Sequence, residues 1–293
     1  MKTTSKRYLT VTLLNVIITI AEFIGGAVSG SLALLSDAVH NLSDVGAIVL
    51  SYLANHIAQR KKDHRQTFGY QRAETLAAFT NGLILLVISL FLFVEAIQRF
   101  ASPQKVSGQL MLIIAVIGLM TNGVSMLLMA SQARHNLNVK VMFLNMMSDA
   151  ISSVAVVLGA IIITVWHVYW VDPALTMMAS LFLLKEAYQV TKKAAAILME
   201  ANPDVDLEQI KKLVLTVPGV ENIHHVHVWR YSDQMIMLDA HLNVDQKMTP
   251  IDLEKLYATI DQKLKPLGIN HVTLQAECHR GLSETMISQN YTD

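Results

Sequence analysis

The sequence predicts a membrane protein in two parts: an all-α bundle of six membrane helices, then a small cytoplasmic α+β domain in the order α-β-β-α-β. Three observations predict it. Mean hydropathy is +0.40. Only 16% of the 293 residues are charged, where soluble domains carry about 25%. Six stretches before residue 200 are apolar over the roughly 20 residues that a bilayer helix needs, and beyond that point the pattern changes to short alternating and amphipathic segments. The boundaries read as residues 1–199 for the membrane part, 200–281 for the soluble part and 282–293 for a polar tail.

The spans read as Tyr8–Val28, Leu32–Ala54, Leu76–Arg99, Gln109–Ser131, Val139–Trp166 and Pro173–Ala194. The opening "MKTTSKRYLT" is basic and leads into an apolar run too long for the short core of a cleaved signal, so the first span is read as retained. Breaks fall at "GAVSGS", "QRKKDHRQTFGYQR", "ASPQKVSG", "QARHNLN" and "HVYWVDP". Lysine and arginine collect on one side: Lys2, Lys6 and Arg7, then Arg60, Lys61, Lys62, Arg65 and Arg72, then Arg134 and Lys140, then Lys192 and Lys193. The opposite loops hold only Arg99 and Lys105. Positive loops stay inside, so both termini are expected in the cytoplasm, and the bacterial inner membrane fits such a chain. Trp166, Tyr169 and Trp170 fall where amphipathic rings settle at a membrane interface.

In the soluble part, Leu207, Ile210, Leu213 and Val214 have helical spacing behind an Asp206 cap, and "PG" stops the run. "NIHHVHVWRYS", "MIMLDAHLNVD" and "HVTLQAE" alternate or run β-branched, so they read as strands. Between the last two, "TPIDLEKLYATIDQKLKPLG" starts on Thr249 and Pro250 and reads as a helix.

Charge and composition exclude several classes. A net charge of zero gives no footprint for nucleic acid. The single Cys278 excludes an internal disulfide and a cysteine metal framework. There is no nucleophile–base arrangement, no Walker loop and no cofactor motif, so the chain does not read as an enzyme.

The chemistry sits inside two spans. "LLSDAVHNLSDV" carries Asp37, His40 and Asp44, and "FLNMMSDAISS" repeats the frame with Asn145 and Asp149. Ionisable groups in a bilayer are costly and face a bundle interior or a wet cavity. Positions i and i+4 share a helix face, so His40 points with Asp44, and Asn145 with Asp149. Brought together, these faces offer an imidazole nitrogen, two carboxylates and an amide oxygen, a set suited to a tetrahedral divalent metal ion. The carboxylates would neutralise the dication. Asp37, one turn before His40, is read as an acceptor behind that imidazole or as the cap of the second span, the latter slightly favoured. Asn15, Asn81, Asn122, Ser43 and Ser148 read as interhelical glue. Glu22, Glu95 and Glu186 read as span-end residues or partners of Lys and Arg.

These stretches, with "GSLALLSDAVHNLSD", "TFGYQRAETLAAFTNG", "NLNVKVMFLNMMSDAISS" and "IHHVHVW", resemble the cation diffusion facilitators, a family of divalent-metal/proton antiporters. The likeness runs from the first span to "HVTLQAE" and is greatest to the zinc and cobalt/zinc/cadmium branch. That branch carries His-x-x-x-Asp in its second and fifth spans; here Asn145 replaces the second histidine. An amide oxygen hardens the site, so the transported ion is read as Zn2+ first and Mn2+ second, with cobalt and cadmium also admitted. Another branch binds metal after the second span through Asp and His; here Gln66 and Tyr70 stand there, beside Asp63 and His64, and no site is assigned. The resemblance implies a metallochaperone-like cytoplasmic domain that forms a homodimer, with metal ligands His224, His241 and Glu277. His271 lies close by, and Cys278 and His279 are further candidates at a dimer interface. Strand alternation alone would instead pair His225 with His227. The resemblance also implies metal ions and protons as the partners, within a lipid bilayer. Two other functions are open: a membrane-anchored metal sensor that does not transport, and a proton-coupled carrier of organic cations.

Overall fold

The computed structural model describes residues 2–133, 137–232 and 235–287. Arg134, His135 and the chain beyond residue 287 lie outside the described residues, as do the side chains of Lys140 and Asn145. Six long helices come first: α1 (Lys2–Ser29), α2 (Leu32–Ala58), α3 (Arg72–Ala101), α4 (Gly108–Ala133), α5 (Leu137–Trp166) and α6 (Val171–Leu198). Then follow α7 (Leu207–Leu215), β1 (Val220–Ser232), β2 (Met235–Val244), α8 (Pro250–Leu264) and β3 (Ile269–Glu277). The chain forms two compact units, one made of the chain up to Ala54 with Ala77–Thr191, the other of Asn55–Leu76 with the chain from Lys192 on.

Among the described residues, helices α1 to α5 are long and apolar enough to cross a membrane. Helix α6 matches them in length, with 28 residues, but carries Asp172, Lys185, Glu186, Lys192 and Lys193. Helix α2 runs past Ala54 to Ala58, and α3 starts at Arg72 rather than Leu76. Hydropathy marks where lipid contact ends, whereas backbone hydrogen bonding continues into the polar zone. Leu13, Ile17, Ile24, Val87, Phe91 and Leu158 are exposed, an apolar exterior suited to acyl chains.

Polar fasteners inside the first unit join the helices. Asp172, fully buried at the start of α6, accepts from Ser31 Oγ at 2.5 Å, Leu32 N at 2.9 Å and Ala33 N at 3.2 Å. It therefore satisfies two orphan amides at the N-terminus of α2, while Ser31 Oγ accepts from the third, Leu34 N, at 3.2 Å. Asp37 is not the cap, because α2 begins five residues earlier; its carboxylate is hydrogen-bonded by Ser152 and Ser153 of α5. Asn122 donates to Ser153 Oγ at 3.0 Å, gluing α4 to α5. Arg99 pairs with Glu95 at 2.9 Å and donates to the Gly30 carbonyl, just past α1, at 2.8 Å.

In the second unit the sheet order is β1-β2-β3, with β1–β2 antiparallel and β2–β3 parallel. Ile210 and Val214 of α7 and Leu256, Ile260 and Leu264 of α8 are buried against Ile223, Leu238 and Leu242 of the sheet. Asp206 caps α7, and Thr249 with Asp252 closes a capping box on α8. Beyond β3 the chain turns back: Met286 enters this core and its carbonyl accepts from Val226 N at 2.7 Å.

Candidate metal centre

Helix α2 carries His40 and Asp44 one turn apart, and α5 carries Asp149. His40 Nε2 lies 3.1 Å from Asp149 Oδ1. One ligand atom from each of His40, Asp44 and Asp149 lies within 4.8 Å of the others. Tetrahedral ligands about 2.0–2.2 Å from a zinc ion sit roughly 3.3–3.6 Å apart, a spacing that the His40–Asp149 pair, at 3.1 Å, already approaches. Two carboxylates and an imidazole, with Asp149 8% exposed, form a site with a formal charge of minus two when the imidazole is neutral. A divalent cation would balance that charge.

Cavities reach this triad along α2 in both directions. One, of about 250 Å³, is lined by Ala33, Asp37, His40, Asp149 and Ser152, toward the start of α2. The other, of about 390 Å³, is lined by Asp44, Ser51, Asn81 and Glu186, toward its end. Asp44 thus belongs to one opening and the His40–Asp149 pair to the other. Asn81 and Glu186 were read as glue and as a span-end residue; both line the approach to Asp44. Glu22 was read the same way, but it is 1% exposed and accepts from Asn41 Nδ2 at 2.8 Å. Gly118 of α4 makes room for it, since a Cβ there would stand 2.8 Å from Glu22 Oε1.

The second unit holds another cluster. His224 Nε2 and His241 Nδ1 each lie 3.3 Å from a different oxygen of Glu277. All three ligand atoms fall within 4.8 Å. Strand register builds it: His224 faces His241 across β1–β2, and Glu277 faces Asn243 across β2–β3. A bulge between His224 and His227 puts His225 at φ +49°. His224 is 1% exposed, but the bulge overrides strict alternation: His224 faces His241 while Val228 faces Leu238, so His224 lies across the sheet from the core residues Val226 and Val228, on the face that carries His241 and Glu277. The His225 ring stacks on that of His241 at 4.7 Å. Burial pushes the His241 imidazole below its ordinary value, against the opposing pull of Glu277. Near neutral pH it is therefore neutral, the form a metal requires. His271 and Cys278 are exposed.

The returning chain seals this cluster. Asn243 Nδ2 donates to the Arg280 carbonyl at 2.6 Å and Asn222 Nδ2 to that of Gly281 at 3.2 Å. Gly281 has φ +64°, and any Cβ there would collide with His224 Nε2. Gly281→Ala is therefore expected to lift the strap. Faster hydrogen exchange at the Val226 amide checks this, because Met286 then releases it.

Residues 9–199 match the family described as the cation efflux transmembrane domain. The chain belongs to the cation efflux family. Residues 202–279 match the cytoplasmic domain of cation efflux proteins. The chain is 39% identical over 261 residues to a cadmium, cobalt and zinc/H(+)-K(+) antiporter of Bacillus subtilis, covering 88% of this chain and 84% of that one. It is 40% identical over 280 residues to the zinc transporter ZitB of Pectobacterium atrosepticum, covering 94% and 86%. It is 37% identical over 259 residues to the metal cation efflux system protein CzcD of Cupriavidus metallidurans, covering 88% and 82%. A cation efflux protein is an integral membrane transporter of divalent metal cations and not an enzyme.

Within this cation efflux protein, Asp63 does not join a metal cluster among the described residues. It accepts instead from Tyr70 Oη at 2.7 Å and from the Arg65 and Gln66 amides at 2.8 Å each, folding the turn after α2. Sequence reasoning did not find the Asn41 partner of Glu22, the cavity beside Glu186 or the contact of Asp172 with the start of α2. A single charged residue in an apolar run signals importance but not partner, because the partner lies on another helix.

Proposed function

We propose that this cation efflux protein exports Zn2+ in exchange for protons, through a site made of His40, Asp44, Asn145 and Asp149. The observation that carries the reading is the gathering of His40, Asp44 and Asp149 within 4.8 Å, between cavities that extend toward either end of α2. The metals named for the relatives support zinc, with cobalt and cadmium as companions, and the Bacillus subtilis relative's name supports proton exchange. Metal requires a deprotonated imidazole, and the ordinary pKa of histidine near 6.5 lets His40 trade the ion for a proton. The lysine and arginine distribution supports both termini in the cytoplasm, and the bacterial relatives support an inner membrane as the host. The match of residues 202–279 to the family's cytoplasmic domain supports a homodimer. In that domain His224, His241 and Glu277 hold a second ion of the same class.

The reading is tested by flux in proteoliposomes under an imposed pH gradient, across zinc, cobalt, cadmium and manganese. Zinc uptake that collapses with the gradient is the expected result; binding without flux would leave the sensor reading, and flux of organic cations alone the carrier reading. Manganese is the second metal on one ground, the hard amide oxygen of Asn145. Asn145→His is accordingly expected to raise zinc flux relative to manganese by about tenfold. An unchanged ratio removes Asn145 from the ligand set.

A further inference from the structure

We infer that the basic hairpin between α2 and α3 is a binding site for the headgroups of anionic phospholipids. Helix α2 has 27 residues, about 40 Å at a rise of roughly 1.5 Å. That length spans the hydrocarbon and the headgroup zones of a bilayer. Its last residue is Ala58, so Arg60, Lys61, Lys62 and Arg65 follow at headgroup depth. All four are exposed, and none forms an ion pair among the described residues. The one acid among them, Asp63, is engaged with Tyr70 and the Arg65 and Gln66 amides, so it shapes the turn rather than pairing with the cations. Four positive charges in six positions, next to a membrane helix, attract lipid phosphates.

The hairpin is also held in shape. Phe68 packs against Tyr231 with ring centroids 5.4 Å apart and the rings tilted by 44°, and Tyr231 Oη donates to the Gly69 carbonyl at 3.1 Å. Arg72 lies 5.1 Å over the same ring and pairs with Glu200 at 2.9 Å. Topology alone needs only the number of positive charges. A turn pinned through its neutral residues and Arg72, with four neighbouring cations left unpaired, also provides a fixed set of phosphate partners. Its occupant is a phospholipid with a net negative headgroup, such as phosphatidylglycerol.

Full-length protein in neutral detergent tests this with soluble short-chain phosphatidylglycerol, phosphatidylcholine and inorganic phosphate, read by thermophoresis. Phosphatidylglycerol is expected to bind, and to weaken as salt rises from ~0.1 M to ~0.5 M; phosphatidylcholine is not. The R60Q/K61Q/K62Q/R65Q variant should lose at least about tenfold in affinity. R60K/R65K, which keeps the charge, should bind as the parent does. Equal binding of phosphatidylcholine, undiminished binding by the quadruple variant, or full competition by millimolar inorganic phosphate would each overturn the inference. So would loss of binding in R60K/R65K.

Discussion

Asp149→Ala is expected to abolish proton-linked metal flux in reconstituted vesicles. The carboxylate removed is the one that α5 contributes beside His40, 3.1 Å from its Nε2. With it gone, His40 and Asp44 offer a single negative charge, so a dication would carry net positive charge into a buried site. A charge at the bilayer centre costs about 3 kcal/mol on insertion scales, which is roughly a hundredfold in occupancy. Asp149→Asn separates charge from shape: it fills the same volume and keeps an oxygen, yet flux should fall nearly as far. An unchanged midpoint of thermal unfolding serves as the folding control in both variants. Undiminished flux in either one refutes the assignment of the transport site. A sensor that relied on the soluble cluster would respond to zinc in Asp149→Ala as before, so the same pair of variants separates the two readings.

How far the sequence reaches can be judged residue by residue. The frame shared by His40…Asp44 and Asn145…Asp149 was legible because helical spacing makes i and i+4 neighbours on one face. The strand pattern around His224 was misleading: strict alternation puts His224 with Val226 and Val228, whereas the bulge sets it on the opposite face, beside His241 and Glu277. The resemblance, rather than periodicity, chose it over His225. The bulge that stacks His225 on His241 has no signature in composition. Residues whose partners lie far off in the chain stayed hidden. Glu22 meets Asn41 in the next helix, Glu186 meets a cavity built from three helices, and Asp172 meets an amide 140 positions earlier. Nor does "SETMISQNYTD" reveal that Met286 enters a core, because a lone apolar residue in a polar stretch carries no period.

Asp172 shows what such a hidden contact does for function, and Asp172→Ala is expected to cost both stability and transport. Three donors at the start of α2 end on this one carboxylate, and Ser31, Leu32 and Ala33 are all buried. Water cannot replace it there. Each buried donor left unsatisfied costs about 1–3 kcal/mol, and the positive end of the α2 dipole loses its counter-charge, worth up to about 2 kcal/mol in a buried setting. The sum is at least about 3 kcal/mol, in the range that marks a broken buried network. The effect reaches the metal centre because α2 is the rod on which His40 and Asp44 stand, two to three turns further along. Metal ligands must sit within about 0.2 Å of their proper distances, so a frayed start of α2 misplaces two of the triad's three groups. A lowered midpoint of thermal unfolding together with lost zinc flux is the expected pair of results. Ser31→Ala removes the hydroxyl that donates to Asp172 and accepts from the Leu34 amide, but leaves the Leu32 and Ala33 amide bonds to Asp172; it should lose about 1–3 kcal/mol, less than Asp172→Ala, and keep more of the flux. Were Asp172→Ala as stable as the parent, the first turn of α2 would have another source of order. Were it destabilised while transport stayed intact, the placement of His40 and Asp44 would not depend on where α2 begins.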